Sequence, residues 1–88
     1  MEILFERSFE RDLKKIGDKR LLKQVQNAIH QVEAAAGLSE ITNLKKLQGF
    51  DSFYRIRVGD HRIGIELSEG KVIFVCLLAR KNIYRYFP

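Results

Sequence analysis

The stretch YRIRVGDHRIGIE, residues 54–66, alternates apolar and polar side chains on either side of Gly59-Asp60. A period of two is typical of a β-strand, and a Gly-Asp pair between two such runs indicates a two-residue hairpin turn. Such a turn pairs Val58 with His61 and sets the register of both strands, so that apolar side chains share one face of the hairpin. The opposite face then carries three arginines: Arg55, Arg57 and Arg62.

Toward the N-terminus, the pattern changes to a short strand followed by two helices. Residues 3–5 are an apolar run that predicts an opening strand, and Ser8 offers an N-cap for a helix with one apolar stripe. Asp18 can cap a second helix, whose apolar stripe runs as far as Gly37, a natural helix stop. Because the link between the helices is so short, we expect them to lie antiparallel on a common sheet.

Toward the C-terminus, the pattern indicates one more strand and a basic, aromatic tail. The segment 38–48 predicts a loop with one turn of helix before the hairpin. A turn at residues 68–70 leads into a fourth strand at 72–79, and the tail follows. The order β-α-α-β-β-β predicts one α+β domain, residues 1–88, in which a helical hairpin packs on a mainly antiparallel sheet.

The composition of the 88 residues is that of a folded, basic protein with a net charge of +5. The longest apolar run, residues 72–79, is far too short to span a bilayer, and residues 1–7 lack the pattern of a signal peptide. The single cysteine, Cys76, excludes a disulfide framework and predicts a buried thiol. We therefore expect a cytoplasmic protein without membrane association, whose charge suits nucleic acid or an acidic protein partner.

The cationic face of the predicted hairpin sets like charges against each other. Arg57 opposite Arg62 is destabilising unless an anion lies between them, and Glu66 or Asp60 could supply one. A solvated polar face and a phosphate-binding site are then evenly weighted. The tail favours the phosphate site, because arginines for phosphate and aromatic rings for stacking are the combination used on single-stranded RNA. The tail residues in question are Arg80, Lys81, Tyr84, Arg85 and Tyr86.

Three parts of the chain resemble the RelE/ParE family of toxins. They are Leu47-Gln48-Gly49-Phe50, the stretch 54–62, and Ala79-Arg80-Lys81-Asn82-Ile83-Tyr84. The order of elements is similar as well, so the resemblance covers essentially the whole chain. It implies the toxin of a type II toxin–antitoxin system, with a cognate antitoxin as its partner. RelE-like toxins enter the A site of the 30S ribosomal subunit and cut mRNA by attack of its own 2′-hydroxyl, without a metal or other cofactor.

The resemblance also implies which residues do the work. The implied catalytic set is Arg55, Arg57, Arg62, Arg80 (or Lys81) and Tyr84. The expected RNA-binding set is Lys45, Lys46, Lys81, Arg85 and Tyr86. For Lys45 and Lys46, a solvated pair on the surface is an equally simple interpretation.

Three departures from the RelE pattern bear on the chemistry. Arginines replace the lysines of the first hairpin strand, and because an arginine stays protonated, Arg55 and Arg57 suit electrostatic clamping better than proton acceptance. His61 replaces an aromatic residue and, by alternation, points away from the arginines, which favours a turn or packing role over a catalytic one. The chain stops at Pro88, with little room for a full C-terminal helix. His30 falls on the polar face of the second helix and is expected at the surface.

Two other functions stay open on the sequence. A ParE-like toxin would share the fold but act on DNA gyrase without nuclease chemistry. A toxin homologue that has lost its activity would be a binding module. The three hairpin arginines together with Tyr84 favour the nuclease, and contact with DNA is expected only through the antitoxin.

Overall fold

The computed structural model describes residues 1–88, the whole chain. In chain order the elements are β1 (Ile3–Phe5), α1 (Arg7–Lys14), α2 (Lys19–Ala34), a 3₁₀ turn (Leu38–Glu40), β2 (Leu44–Lys46), β3 (Phe53–Val58), β4 (His61–Ser68), β5 (Lys71–Ala79) and α3 (Ile83–Tyr86). The strands form one five-stranded sheet in the order β1-β5-β4-β3-β2. Only the β1–β5 pair is parallel. The predicted α+β architecture with a mainly antiparallel sheet is therefore confirmed.

The hairpin has the register that the sequence predicts. Val58 pairs with His61, and Arg57 lies opposite Arg62. Gly59, the first residue of the turn, has a φ of 57°, a left-handed conformation that a side chain would strain and that type II′ turns assign to glycine. One face of the hairpin is therefore apolar and the other cationic, as expected.

Helices α1 and α2 pack on the apolar face of the sheet. Their buried side chains are Phe9, Leu21, Val25 and Val32, and the sheet contributes Ile56, Val58, Ile63, Ile65, Val72, Phe74 and Leu77. Burying each such side chain contributes roughly 1.5–3 kcal/mol relative to leaving it in water. This layer is the main core, and it leaves the opposite face of the sheet free for the arginines.

The predicted helix ends are right in one of three cases. Asp18 caps α2, because its carboxylate accepts hydrogen bonds from the backbone N–H groups of Arg20 (2.9 Å) and Leu21 (3.3 Å). Ser8 is not the N-cap of α1: the N-cap position is Glu6, and the Ser8 hydroxyl instead donates to the carbonyl of Val75 on β5. Gly37 does not end α2, which stops at Ala34 because Ala35 is already extended.

Two elements are absent from the predicted order. The segment predicted as a loop contains β2, a three-residue strand that pairs antiparallel with β3, so the sheet has five strands rather than four. The tail contains α3, a single helical turn that carries Tyr84 and Tyr86. No helix in the chain is both long enough and apolar enough to cross a membrane.

A second, smaller core lies on the arginine face. It consists of Leu47, Cys76, Ile83 and Phe87. Burial raises the pKa of the Cys76 thiol to about 11, as the prediction of a buried thiol requires. Gly64 leaves room for this cluster, because a Cβ at that position would lie 2.6 Å from Cys76 Sγ and 2.8 Å from the ring of Phe87. Phe87 thus fixes the C-terminal segment, and with it Tyr84, against the sheet.

Candidate functional site

The three hairpin arginines differ in how deeply they lie. Arg57 is exposed, Arg55 is half-buried, and Arg62 is only 9% exposed. Alternation on β3 and β4 places all three on the face away from the helices. A buried guanidinium is costly unless its N–H groups have hydrogen-bond acceptors, so the partners of Arg62 decide how this face is built.

No carboxylate pairs with Arg57 or Arg62, and each guanidinium instead donates to acceptors of its own. Arg62 Nη1 donates to the carbonyls of Gly59 (3.0 Å) and His61 (2.9 Å). Arg57 Nη2 donates to the side-chain oxygen of Asn43 (3.3 Å). The expected internal pairing with Glu66 or Asp60 does not occur, since the only ion pairs in the chain are Lys46–Asp51 and Lys71–Glu2. The arginine face therefore keeps its positive charge uncompensated.

Asn43 is the residue of this site that sequence reasoning missed. Its carbonyl accepts hydrogen bonds from the backbone N–H of Arg57 and from Arg55 Nη1, both at 3.1 Å. Its side chain holds Arg57, as described above, so one residue orients two guanidinium groups. It adopts a φ of 61°, which asparagine tolerates better than most residues. An asparagine in a polar segment just before a strand is the only signal in the sequence.

The buried arginine is under electrostatic stress. Burial lowers the pKa of Arg62, and the positive charges of Arg55, Arg80 and Arg57 lower it further. Only the charge of Tyr84 acts in the opposite direction, and a bound anion would add to its effect, because a negative charge favours the charged guanidinium. The cluster thus gathers positive charge around a largely buried guanidinium, an arrangement whose electrostatics a bound anion would favour.

Tyr84 is fixed to this cluster by its hydroxyl group. Arg55 Nε donates a hydrogen bond to Tyr84 Oη at 3.3 Å. This hydrogen bond lowers the pKa of Tyr84, and the charges of Arg55, Lys45 and Arg62 act in the same direction, against the opposing effect of burial. The ring is nonetheless 63% exposed. A phenol with a lowered pKa exchanges its proton more readily than a free phenol, which is what general acid–base chemistry requires.

The other predicted site residues divide into those near the cluster and those away from it. Arg80 and Lys81 line a depression beside Tyr84, and Lys45 pairs with Arg55 across β2 and β3. Lys46 forms an ion pair with Asp51 at 3.8 Å. Arg85 lies over the ring of Tyr86, 5.5 Å from its centroid, and no hydrogen bond joins either of them to the arginines. Since successive helical residues point about 100° apart, the turn that directs Tyr84 to the cluster directs these two elsewhere.

The two histidines take no direct part in the cluster. His61 contributes its backbone carbonyl to Arg62, and its side chain forms no hydrogen bond within the chain. His30 is exposed on α2, as expected. No three His, Cys, Asp or Glu side chains come together as potential metal ligands. The side chains gathered at the site are guanidinium groups, the amines of Lys45 and Lys81, and the phenol of Tyr84.

Comparison with known proteins identifies relatives along the whole chain. The profile of the ParE toxin of the type II toxin–antitoxin system parDE matches residues 3–84. The chain is 38% identical over 89 residues to toxin RelE3 of Methanocaldococcus jannaschii, and the alignment covers all of both proteins. The structure is similar to that of the RelB–RelE antitoxin–toxin complex from Methanococcus jannaschii, with a TM-score of 0.79 and 37% identity, covering 97% of this chain and 99% of that chain. The RelE–RelB complex from Pyrococcus horikoshii OT3 is similar in fold alone, with a TM-score of 0.72 at 18% identity over 90% of this chain and 93% of that chain.

Proposed function

Because the chain belongs to the RelE/ParE family of toxins of type II toxin–antitoxin systems, we propose that it is a ribosome-dependent endoribonuclease. Its substrate is mRNA in the A site of the small ribosomal subunit, which sets its place of action in the cytoplasm. The observation that carries this proposal is the hydrogen bond from Arg55 to Tyr84 within a cluster of uncompensated arginines. That arrangement supplies an anion site and a proton-exchanging group side by side.

The proposed reaction is attack of the RNA 2′-hydroxyl on the neighbouring phosphorus. Tyr84, in its phenolate form, accepts the 2′-hydroxyl proton. The bond between the 2′-oxygen and phosphorus forms while the bond from phosphorus to the 5′-oxygen breaks, and the departing oxygen takes a proton from solvent. The products are a 2′,3′-cyclic phosphate and a free 5′-hydroxyl, and Tyr84 then returns its proton to water.

The arginines act on charge rather than on protons in this proposal. The pentavalent phosphate carries more negative charge than the starting diester, so cations already in position stabilise it selectively. Arg62 is the strongest contributor, because it is the least exposed and its charge is the least screened. Arg55, Arg57 and Arg80 complete the cationic surface, and the RNA-binding roles of Lys45, Lys46, Lys81, Arg85 and Tyr86 stay predictions.

The proposed partner is a cognate antitoxin, in keeping with the antitoxin-bound state of the archaeal RelE relatives. A segment with acidic and apolar side chains suits a toxin of net charge +5. An apolar groove of about 460 Å³ beside the helices, lined by Leu13, Leu22, Val25 and Ile29, offers a seat for an amphipathic helix. Contact with DNA would then be through the antitoxin.

A second candidate is a ParE-like inhibitor of DNA gyrase, favoured by the match of residues 3–84 to the ParE profile. It would need no proton-exchanging group at the arginine cluster, and the Arg55–Tyr84 pair would have no evident use. The third possibility is a binding module that has lost its activity. Arginines in place of the lysines of the RelE pattern are what keep it open.

Primer extension on purified ribosomes separates these candidates. Wild-type protein should cut ribosome-bound mRNA within a codon in the A site, leave free mRNA intact, and leave gyrase supercoiling unaffected. Intact ribosome-bound mRNA together with blocked supercoiling would establish the gyrase inhibitor instead. If neither target responds, the chain is a binding module.

A further inference from the structure

A depression of about 420 Å³ adjoins the arginine cluster, between β2, the loop that follows it, and α3. Such a volume falls within the roughly 300–1,000 Å³ typical of small-molecule sites. Tyr84 and Lys45 belong to its lining, and both also contact or face Arg55. A strand of RNA whose phosphate lies on the arginines would therefore meet this depression at a neighbouring nucleotide.

Phe50 is one of three aromatic residues that line the depression, together with Tyr84 and Phe87. Although it is on a loop, it is only 44% exposed, and its ring packs edge-to-face on Phe53 with centroids 5.7 Å apart. Phe53 in turn packs edge-to-face on Phe87, at 5.5 Å. The loop is tied down by hydrogen bonds from the Leu47 N–H to the Phe53 carbonyl (2.9 Å) and from the Phe50 N–H to the Leu47 carbonyl (3.3 Å). A ring held in place from beneath while partly open to solvent is a platform on which a base can stack.

Gln48 supplies a hydrogen-bonding group that could recognise a base in the same depression. Its side chain is exposed, it lines the depression, and its amide forms no hydrogen bond within the chain. A primary amide offers a donor and an acceptor together, the pattern that matches the N6 and N7 edge of adenine. The lining contains two lysines and no carboxylate, which suits an anionic ligand, and the exposed ring of Phe50 beside them favours a nucleotide, whose base can stack, over an acidic peptide.

We propose that this depression is a nucleobase subsite. Phe50 stacks on the base of a nucleotide next to the phosphate held by the arginines, and Gln48 hydrogen-bonds to the edge of that base, with adenine preferred. The subsite rests on the proposed nuclease function for the identity of the strand that enters it, and it makes Phe50 and Gln48 determinants of the sequence at which mRNA is cut.

Binding of an uncleavable RNA tests the stacking role independently of catalysis. The probe is a short, fluorescently labelled oligonucleotide with 2′-O-methyl groups throughout, and the readout is anisotropy. Phe50→Leu keeps an apolar side chain but removes the ring, so affinity should fall by about 5- to 150-fold. The matched control is Phe5→Leu, because Phe5 is 43% exposed and lies on β1 at the opposite edge of the sheet; its variant should bind like wild type. Equal affinities for the Phe50→Leu and Phe5→Leu proteins would overturn the subsite, and so would absence of binding by wild type.

Substitutions at Gln48 test its proposed recognition of the base edge. Because Gln48 is exposed, they should not disturb the core. Wild type should bind an adenine-containing probe more tightly than one with cytosine in its place. Gln48→Ala should remove this preference, and Gln48→Glu should shift it toward cytosine, whose N4 amino group a carboxylate accepts. An adenine preference that survives both substitutions would overturn the role of Gln48. RNA binding that depends on Phe50, without any cleavage of ribosome-bound mRNA, would instead contradict the nuclease function while still supporting the subsite.

Discussion

Arg55 Nε and Tyr84 Oη lie 3.3 Å apart, in a hydrogen bond that joins β3 to α3 across 29 positions of the chain. It gives a mostly exposed phenol a fixed direction and a lowered pKa. The sequence supplies cations on this face in abundance but no obvious proton acceptor. In the proposed mechanism the Arg55–Tyr84 pair supplies one, because a phenol that shares a hydrogen bond with a guanidinium loses its proton more readily than a free phenol.

Tyr84→Phe should abolish most of the cleavage without affecting the fold. Only the hydroxyl is removed from a ring that is 63% exposed, so the free energy of unfolding should stay close to that of wild type. Loss of a general base lowers the rate by about 10²- to 10⁴-fold. Single-turnover cleavage of ribosome-bound mRNA measures this effect, and an undiminished rate would remove Tyr84 from the mechanism.

The pH dependence of cleavage should follow the ionisation of Tyr84. Since the phenolate is the active form, the rate rises with pH until the pKa of Tyr84 is passed, and a lowered pKa moves that rise to lower pH. Arg55→Gln removes the main cause of the lowering, so the rise should move to higher pH. Arg11→Gln, an exposed arginine on α1, is the matched control and should keep the wild-type profile. Identical profiles for both variants would contradict the role of Arg55.

Arg62→Ala should relieve growth arrest while the protein stays folded. The substitution removes the least exposed charge of the cluster, and it also relieves the repulsion from Arg55, Arg80 and Arg57 that lowers the pKa of Arg62. Because the lost hydrogen bonds and the relieved repulsion oppose each other, stability should change by no more than about 1–2 kcal/mol. Colony formation on induction and urea denaturation are the two measurements. Full toxicity in a folded Arg62→Ala protein would refute the assignment.

Two substitutions at Asn43 should separate its backbone role from its side-chain role. Both Asn43→Gly and Asn43→Ala remove the oxygen that holds Arg57, so both should weaken RNA binding, by about 1 kcal/mol. Only alanine is strained at a φ of 61°, at a cost of roughly 1–2 kcal/mol. The alanine variant should therefore unfold at a lower urea concentration than the glycine variant. If their affinities differ as much as their stabilities do, the side-chain oxygen is not what positions the arginines.

Gly64→Ala should destabilise the protein and loosen α3. A Cβ at this position would lie under 3 Å from Cys76 Sγ and from the Phe87 ring, and forcing a methyl group into a packed site costs about 1–3 kcal/mol. Gly17→Ala is the matched control, because a Cβ there meets nothing within 4 Å. Denaturant unfolding should distinguish the two variants. Equal stability would show that the packing of Phe87 does not require a glycine at position 64.

The sequence predicts those parts of the fold that rest on short-range patterns. Alternation around Gly59-Asp60 is enough to place Val58 opposite His61 and all three arginines on one face. Asp18 is a correct N-cap because its carboxylate bonds to residues two and three positions ahead. Ser8 is also a residue type that commonly caps helices, but its hydroxyl donates instead to the carbonyl of Val75, 67 positions away. Local patterns cannot reveal such a competing partner.

The missed features depend on tertiary contacts in the same way. β2 is three residues long and mostly lysine, so neither its length nor its composition marks it as a strand, and it exists because β3 offers an edge to pair with. Asn43 acts mainly through its carbonyl, which no residue type signals. The basic, aromatic tail and the resemblance to the RelE/ParE family both single out Tyr84. Its hydrogen bond to Arg55 depends on the packing of Phe87 against Gly64, which local sequence patterns do not show.

Cleavage of ribosome-bound mRNA that carries a single 2′-deoxynucleotide at the cut site, compared with the all-ribose mRNA, tests the proposed chemistry most directly. Wild-type protein should cut the all-ribose mRNA, leaving a 2′,3′-cyclic phosphate and a 5′-hydroxyl, and should leave the deoxy-substituted bond intact. All-ribose mRNA that stays whole, or a deoxy-substituted mRNA that is cut at the same position and rate, would contradict a nuclease that acts through the RNA 2′-hydroxyl.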